Sequence, residues 1–191
     1  WLVAGAGRTV WRTPNLLTSI RLAVSIALLG LLSVVRPSMG LVVGVFAAAL
    51  IAEITDFLDG LIARRVGGTP FGARLDMETD ALFILALSLV LVEWFDLPAW
   101  VATAGLIRYA AAIPFLALPE PRFPRRFSLF AKSACAVAAV LLIGSAAPVG
   151  ASPAGAVFTP GILPVRIATA AVAVALLVVS FAWEAILRVR A

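Results

Sequence analysis

The stretch Asp56-Phe57-Leu58-Asp59-Gly60-Leu61-Ile62-Ala63-Arg64, followed after a short gap by Gly72-Ala73-Arg74-Leu75-Asp76-Met77-Glu78-Thr79-Asp80, decides how this chain folds. It lies where two apolar stretches of membrane length meet. A carboxylate near lipid is expensive and is rarely kept without a partner. Of the ten acids in the chain, six fall between Glu53 and Asp80. Four aspartates so close together, Asp56, Asp59, Asp76 and Asp80, require compensating charge.

The rest of the composition explains the setting. The 191 residues are 63% hydrophobic, with a mean hydropathy of +1.10. A soluble domain of this size is far more polar, so the chain reads as one integral membrane domain spanning residues 1–191. There are no histidines. That excludes a Ser-His-Asp triad, a His-ligated zinc site and an imidazole proton shuttle. The single Cys135 lies in an apolar stretch and reads as a buried structural thiol, with no intramolecular disulfide or Cys-X-X-Cys chemistry. The net charge of +5 indicates orientation and contact with anionic headgroups, not nucleic acid.

Hydropathy predicts an all-α polytopic fold of six transmembrane helices, near residues 16–35, 39–58, 72–94, 98–118, 128–145 and 162–187, preceded by an interfacial segment over 1–15. Each is close to the ~20 residues that cross a bilayer core. No early stretch reads as a cleaved signal peptide. Thr13-Pro14 and Thr69-Pro70 each read as an N-cap followed by proline in the first turn, and Asp96 before Pro98 can serve the same way. Pro119, Pro121 and Pro124 stop the fourth span.

Basic residues gather on alternate connections. Arg8, Arg12 and Arg21 lie at the amino end, Arg64, Arg65 and Arg74 at the second connection, Arg122, Arg125, Arg126 and Lys132 at the fourth, and Arg188 and Arg190 at the carboxyl end. The positive-inside rule puts both termini and the aspartates on the cytoplasmic side of the cell membrane. Arg166, beside the sixth span, fits this pattern less well and reads as snorkelling to the outer interface. Trp94 and Trp100 on the outer side, and Trp11 on the inner, read as aromatic-belt anchors. The uncharged connection 146–161 reads as an outer loop.

Helical spacing lets the acids converge. Asp59, Gly60, Ala63 and Arg64 stand three, four, seven and eight residues after Asp56, on one face at ~3.6 residues per turn. Gly72, Asp76 and Asp80 are spaced by four and share a face as well. A short link makes the two helices antiparallel neighbours whose carboxylates meet across their interface. Hard oxygen ligands suit Mg²⁺ or Mn²⁺, and two such ions ~4 Å apart clamp a phosphoryl group. Gly60, Ala63 and Gly72 leave room for a nucleotide or phosphate to approach the backbone, and Arg64 offers a planar cation for a pyrophosphate. The small residues also serve close helix packing. Capping and interfacial solvation account for one or two of the aspartates but not for matched spacing on two helices.

Asp-x2-Asp-Gly-x2-Ala-Arg followed by Gly-x3-Asp-x3-Asp resembles the signature of the CDP-alcohol phosphotransferases. Every fixed position is present, at Asp56, Asp59, Gly60, Ala63, Arg64, Gly72, Asp76 and Asp80. The gap from Arg64 to Gly72 holds seven residues, one fewer than members more often carry. The six-span layout agrees, and Thr13-Pro14-Asn15-Leu16-Leu17-Thr18-Ser19-Ile20-Arg21 resembles the first helix of phosphatidylglycerophosphate synthase-like members. The overall feel is also close to phosphatidylinositol-phosphate synthase-like members. The resemblance implies transfer of a phospho-alcohol from a CDP-alcohol, such as CDP-diacylglycerol, to an acceptor hydroxyl, with release of CMP. It implies two Mg²⁺ or Mn²⁺ ions on Asp56, Asp59, Asp76 and Asp80, with Asp80 also the catalytic base. It implies a CDP pocket at Asp59, Gly60, Ala63, Arg64 and Gly72, and a homodimer in membrane lipid. Asn15 and Thr18 either touch the nucleotide or serve as cap and turn residues.

For the acceptor, Arg108 lies midway along the fourth span, where an arginine is functional by default or is paired with an acid such as Glu53. With Arg125, Arg126 and Lys132 it suggests a cationic pocket for a phosphorylated polyol such as glycerol-3-phosphate or inositol phosphate. Topology and headgroup contact explain Arg125, Arg126 and Lys132 equally well. Glu184 is placed to pair with Arg188 at i,i+4. The rival function is a divalent-cation transporter or channel using the same carboxylates. Transporters scatter acids at mid-membrane and show broken helices or inverted repeats, whereas these acids cluster at one interface beside Arg64, a fixed cation that hinders cation passage.

Overall fold

A computed structural model describes residues 13–34, 37–66, 70–116, 125–149 and 161–190, with side chains over 18–34, 37–58, 75–112, 114, 126–149 and 161–190. The described residues are all-helical: α1 Thr13–Leu31, α2 Met39–Val66, α3 Pro70–Trp94, α4 Thr103–Leu116, α5 Arg125–Ser145 and α6 Leu163–Val189, with a 3₁₀ turn Ala99–Ala102 before α4. These elements fall where hydropathy puts the six apolar stretches. Three are long and apolar enough to cross a membrane: Met39–Leu58 within α2, Arg126–Ser145 within α5, and α6, while Thr18–Leu31 of α1 is a shorter apolar helix. Of the expected interfacial segment, residues 1–12 lie outside the described residues, and from Thr13 the chain is already helical.

The length of α2 positions the site. Its 28 residues rise roughly 42 Å at about 1.5 Å each, more than the ~30 Å hydrocarbon core. The motif from Asp56 onward lies in the last third of the helix, so a helix of this length can place it toward one end of the hydrocarbon core. Proline opens α3 at its first position, where its missing N–H costs nothing.

The centre of the bundle is α3. Phe83, Ile84, Ala86, Leu87, Val90, Leu91 and Trp94 along it are all buried. It packs against α1, α4 and α5, and the paired α5 and α6 close the far side. Between helices in lipid, packing replaces the hydrophobic drive available in water, so small residues at the contacts matter. Ala49 and Ala52 of α2, Ala86 of α3, Ala138 of α5, and Ala170 and Ala173 of α6 are fully buried. A close helix approach is made at Gly105 of α4, where a Cβ would fall on the Leu85 backbone of α3.

Among the described residues α1 packs extensively along both acid-bearing helices, α2 and α3.

The end of the bundle away from the aspartates corrects two expectations. Trp94 is a core residue, 2% exposed, not a belt anchor: its indole Nε1–H donates to the Val34 carbonyl at 3.1 Å and ties the chain just after α1 to α3. Trp100 is exposed. Arg166 does not snorkel outward. It is buried, donates to the Ala147 carbonyl at 2.8 Å, and stacks its guanidinium 4.7 Å from the Phe95 ring centroid. Burial is affordable because the backbone oxygen and the ring face replace water. Ser145 and Thr169 hydrogen-bond beside it at 2.7 Å and link α5 to α6. At the other end of α6, Glu184 accepts from Arg188 at 2.8 Å, the expected i,i+4 pair.

Candidate functional site

Three of the four aspartates converge. Asp56 comes from α2, and Asp76 and Asp80 come from one face of α3, a single turn apart. One oxygen from each lies within 4.8 Å of the others. The side chain of Asp59 lies outside the described residues, as do those of Gly60, Ala63, Arg64, Gly72, Asn15 and Arg125. Their backbones continue α2, α3, α1 and α5.

At the centre of the three carboxylates is Arg21 of α1. Its Nη1 pairs with Asp56, and its Nη2 pairs with Asp80 and, at 2.8 Å, with Asp76. The arginine side chain is 3% exposed, whereas those of Asp56, Asp76 and Asp80 are 31%, 43% and 30% exposed. The guanidinium therefore forms the floor of the site, and the carboxylates keep an open side. The Arg21 Nε is buried without a hydrogen-bond partner among the described residues, as is the Thr79 hydroxyl. One turn along α1, the Ser25 hydroxyl donates to the Arg21 carbonyl at 2.8 Å. Thr18, three residues before Arg21 on α1, is buried.

Other charges surround this centre unevenly. Glu53 stands one turn before Asp56 on α2, half-buried and within electrostatic reach of Asp56, Arg21 and Asp80. Lys132 of α5 is exposed and within electrostatic reach of Asp76. Cys135 follows it by three residues on α5 and is within electrostatic reach of Asp80, Glu53 and Arg21. Arg108 of α4 pairs not with Glu53 but with Glu78, at 2.7 Å. Glu78 stands two residues from both Asp76 and Asp80, about 200° around α3 from each, so this pair lies on another face. Arg126 is exposed at the start of α5.

Sequence spacing missed Arg21 as a member of the site and read it as a topological charge. The available signal was its position: a basic residue inside the first apolar stretch, at a depth where lipid tolerates charge only with a partner.

The donor set fits a hard divalent cation. One oxygen from each of three carboxylates, all within 4.8 Å of one another, supplies the hard anionic ligands that Mg²⁺ and Mn²⁺ take. The three aspartates also outnumber the single guanidinium among them, leaving negative charge that a divalent ion would balance.

Among known proteins, the family described as CDP-alcohol phosphatidyltransferase matches residues 11–189, nearly the whole chain. Its members are generally dependent on divalent metal. No curated protein and no solved structure matches.

Proposed function

The chain belongs to the CDP-alcohol phosphatidyltransferase family, whose members are transferases of phosphate-containing groups, and from that premise we propose a specific reaction for it. The protein transfers a phosphatidyl group from CDP-diacylglycerol to the hydroxyl of a phosphorylated polyol, such as glycerol-3-phosphate or inositol phosphate. The observation that carries this reading is the convergence of Asp56, Asp76 and Asp80 from two helices onto one centre. A transporter reading gains nothing from the family match, and Arg21 on the same oxygens is a poor lining for a cation path.

In the proposed reaction Asp56, Asp59, Asp76 and Asp80 hold two Mg²⁺ or Mn²⁺ ions. Bound there, the ions supply charge stabilisation for the diphosphate and lower the pKa of the acceptor hydroxyl. Gly60, Ala63 and Gly72 admit the CDP moiety, Arg64 takes its diphosphate, and Asn15 and Thr18 border the nucleotide. The acceptor oxygen bonds to the phosphatidyl phosphorus as the bond from that phosphorus to CMP breaks. Asp80 receives the acceptor proton, and CMP leaves with the bonding electron pair. Little basicity is needed from the carboxylate, because catalysis of this type rests on position and charge stabilisation.

Lys132, near Asp76 on the exposed side, is the first acceptor contact in this reading, with Arg125 and Arg126 preceding it on α5 and Arg108 as an outer member. Six transmembrane helices, a cytoplasm-facing site in the cell membrane, an interfacial segment over 1–15 and a homodimer complete it. The chain functions as one domain.

The test is CMP release from CDP-diacylglycerol by purified protein with Mg²⁺ or Mn²⁺, screened over glycerol-3-phosphate, inositol phosphate, inositol and serine. Turnover with an anionic polyol is expected, and turnover with none of the four contradicts the proposal. Lys132→Ala should raise the KM for that acceptor while leaving the KM for CDP-diacylglycerol unchanged. An unchanged acceptor KM in Arg108→Ala removes Arg108 from the pocket.

A further inference from the structure

Arg21 is buried at the centre of the acidic cluster, yet the reaction above gives it no task. Its guanidinium holds the Oδ1 atoms of Asp56, Asp76 and Asp80, and two of these share Nη2. The three carboxylates that converge thus each turn one oxygen toward a fixed cation. A divalent ion drawn to the same carboxylates competes with that cation for their charge and is repelled by it.

We infer that Arg21 is the resident counter-ion of the metal-free site: it keeps the carboxylates of α2 and α3 together before loading, and it yields their oxygens when the divalent cation binds. The inference rests on the metal-dependent reading above. Three features of the structure support it. First, Asp56 belongs to α2 and Asp76 and Asp80 to α3, and Arg21 pairs with all three, bridging the two helices against the mutual repulsion of their acids. Second, the guanidinium is on the closed side of the cluster and the carboxylates have an open side, so a metal can arrive without passing the arginine. Third, Glu53 stands one turn along α2 within electrostatic reach of Arg21, and this acid is available to receive the guanidinium once the aspartates turn outward. The Arg21 Nε is buried with no hydrogen-bond partner among the described residues, so the guanidinium is held there through its two terminal nitrogens.

Arg21 is therefore a positioning residue, and metal affinity separates this role from a merely structural one. Loss of a purely structural arginine would loosen the cluster and weaken metal binding. Loss of a competing counter-ion strengthens it.

The experiment measures Mn²⁺ binding to the full chain in detergent by electron paramagnetic resonance, without substrate. Arg21→Gln is expected to bind Mn²⁺ about tenfold more tightly than wild type, the change that about 1.4 kcal/mol produces. Its metal-free form is expected to melt at a lower temperature, with a larger rise on adding Mn²⁺. Glu53→Gln, which removes the acid that receives the guanidinium, is expected to weaken Mn²⁺ binding, and in the double variant that weakening disappears. Affinity equal to or below wild type in Arg21→Gln overturns the inference. If that variant does not fold, an unchanged affinity in Glu53→Gln overturns it instead. Absence of Mn²⁺ binding in the wild type would sink the metal-dependent reading itself, whereas wild-type binding with insensitive variants removes only the role of Arg21.

Discussion

Asp80 carries the heaviest assignment of any single residue. It stands one turn after Asp76 on α3, shares Arg21 with Asp56, and is proposed both to hold metal and to take the acceptor proton. Asp80→Asn keeps the size and much of the hydrogen bonding of the side chain but removes its charge and basicity. CMP release is expected to fall by at least 10²- to 10⁴-fold, the range general-base catalysis commonly supplies. Melting of the metal-free variant should stay close to wild type. Activity within tenfold of wild type would remove Asp80 from the chemistry. The convergence of Asp56, Asp76 and Asp80 was legible in the sequence because helical spacing fixes which residues share a face. The partners of Arg21, Arg108 and Arg166 were not legible in this way. An isolated arginine has no period, and only tertiary packing shows that Arg21 meets three aspartates, that Arg108 meets Glu78 and not Glu53, and that Arg166 lies buried over Phe95. Trp94 was misread for the same reason, since its place at a span end is compatible with either an interfacial belt or the core.

Among the elements, α3 matters most, because it carries two of the converging acids and forms the bundle centre. Its position depends on close contact with α4 at Gly105, where an added methyl would meet the backbone of Leu85 and not a flexible side chain. Gly105→Ala must therefore push the two helices apart. Overpacking of this kind costs about 1–3 kcal/mol. Gly144→Ala on α5 is the control, since nothing lies within 4 Å of the added carbon. Thermal melting in detergent should show a clear loss for Gly105→Ala and little change for Gly144→Ala. Equal behaviour of the two would contradict the packing described. Hydropathy and proline placement made the helices themselves legible, and α3 starts at Pro70 as the punctuation suggests. The packing of α1 along both α2 and α3 was not legible, because apolar faces of similar composition do not specify which helix covers them.

At the scale of the whole molecule, the fold separates two tasks. One end of the bundle is closed by Arg166, Phe95, Ser145 and Thr169 in mutually satisfied contacts. The other end gathers charge from α1, α2, α3 and α5 around partly open carboxylates. This polarity agrees with membership in a family of phosphate-group transferases, which implies a CDP-alcohol donor and an alcohol acceptor. The account as a whole requires α2 and α3 to serve one metal centre jointly. The most direct test is Mn²⁺ affinity measured separately in Asp56→Asn, which alters α2 alone, and Asp76→Asn, which alters α3 alone. A shared centre predicts that each substitution by itself weakens Mn²⁺ binding by about tenfold or more. Wild-type affinity in either variant would show that the two helices do not hold the ion together.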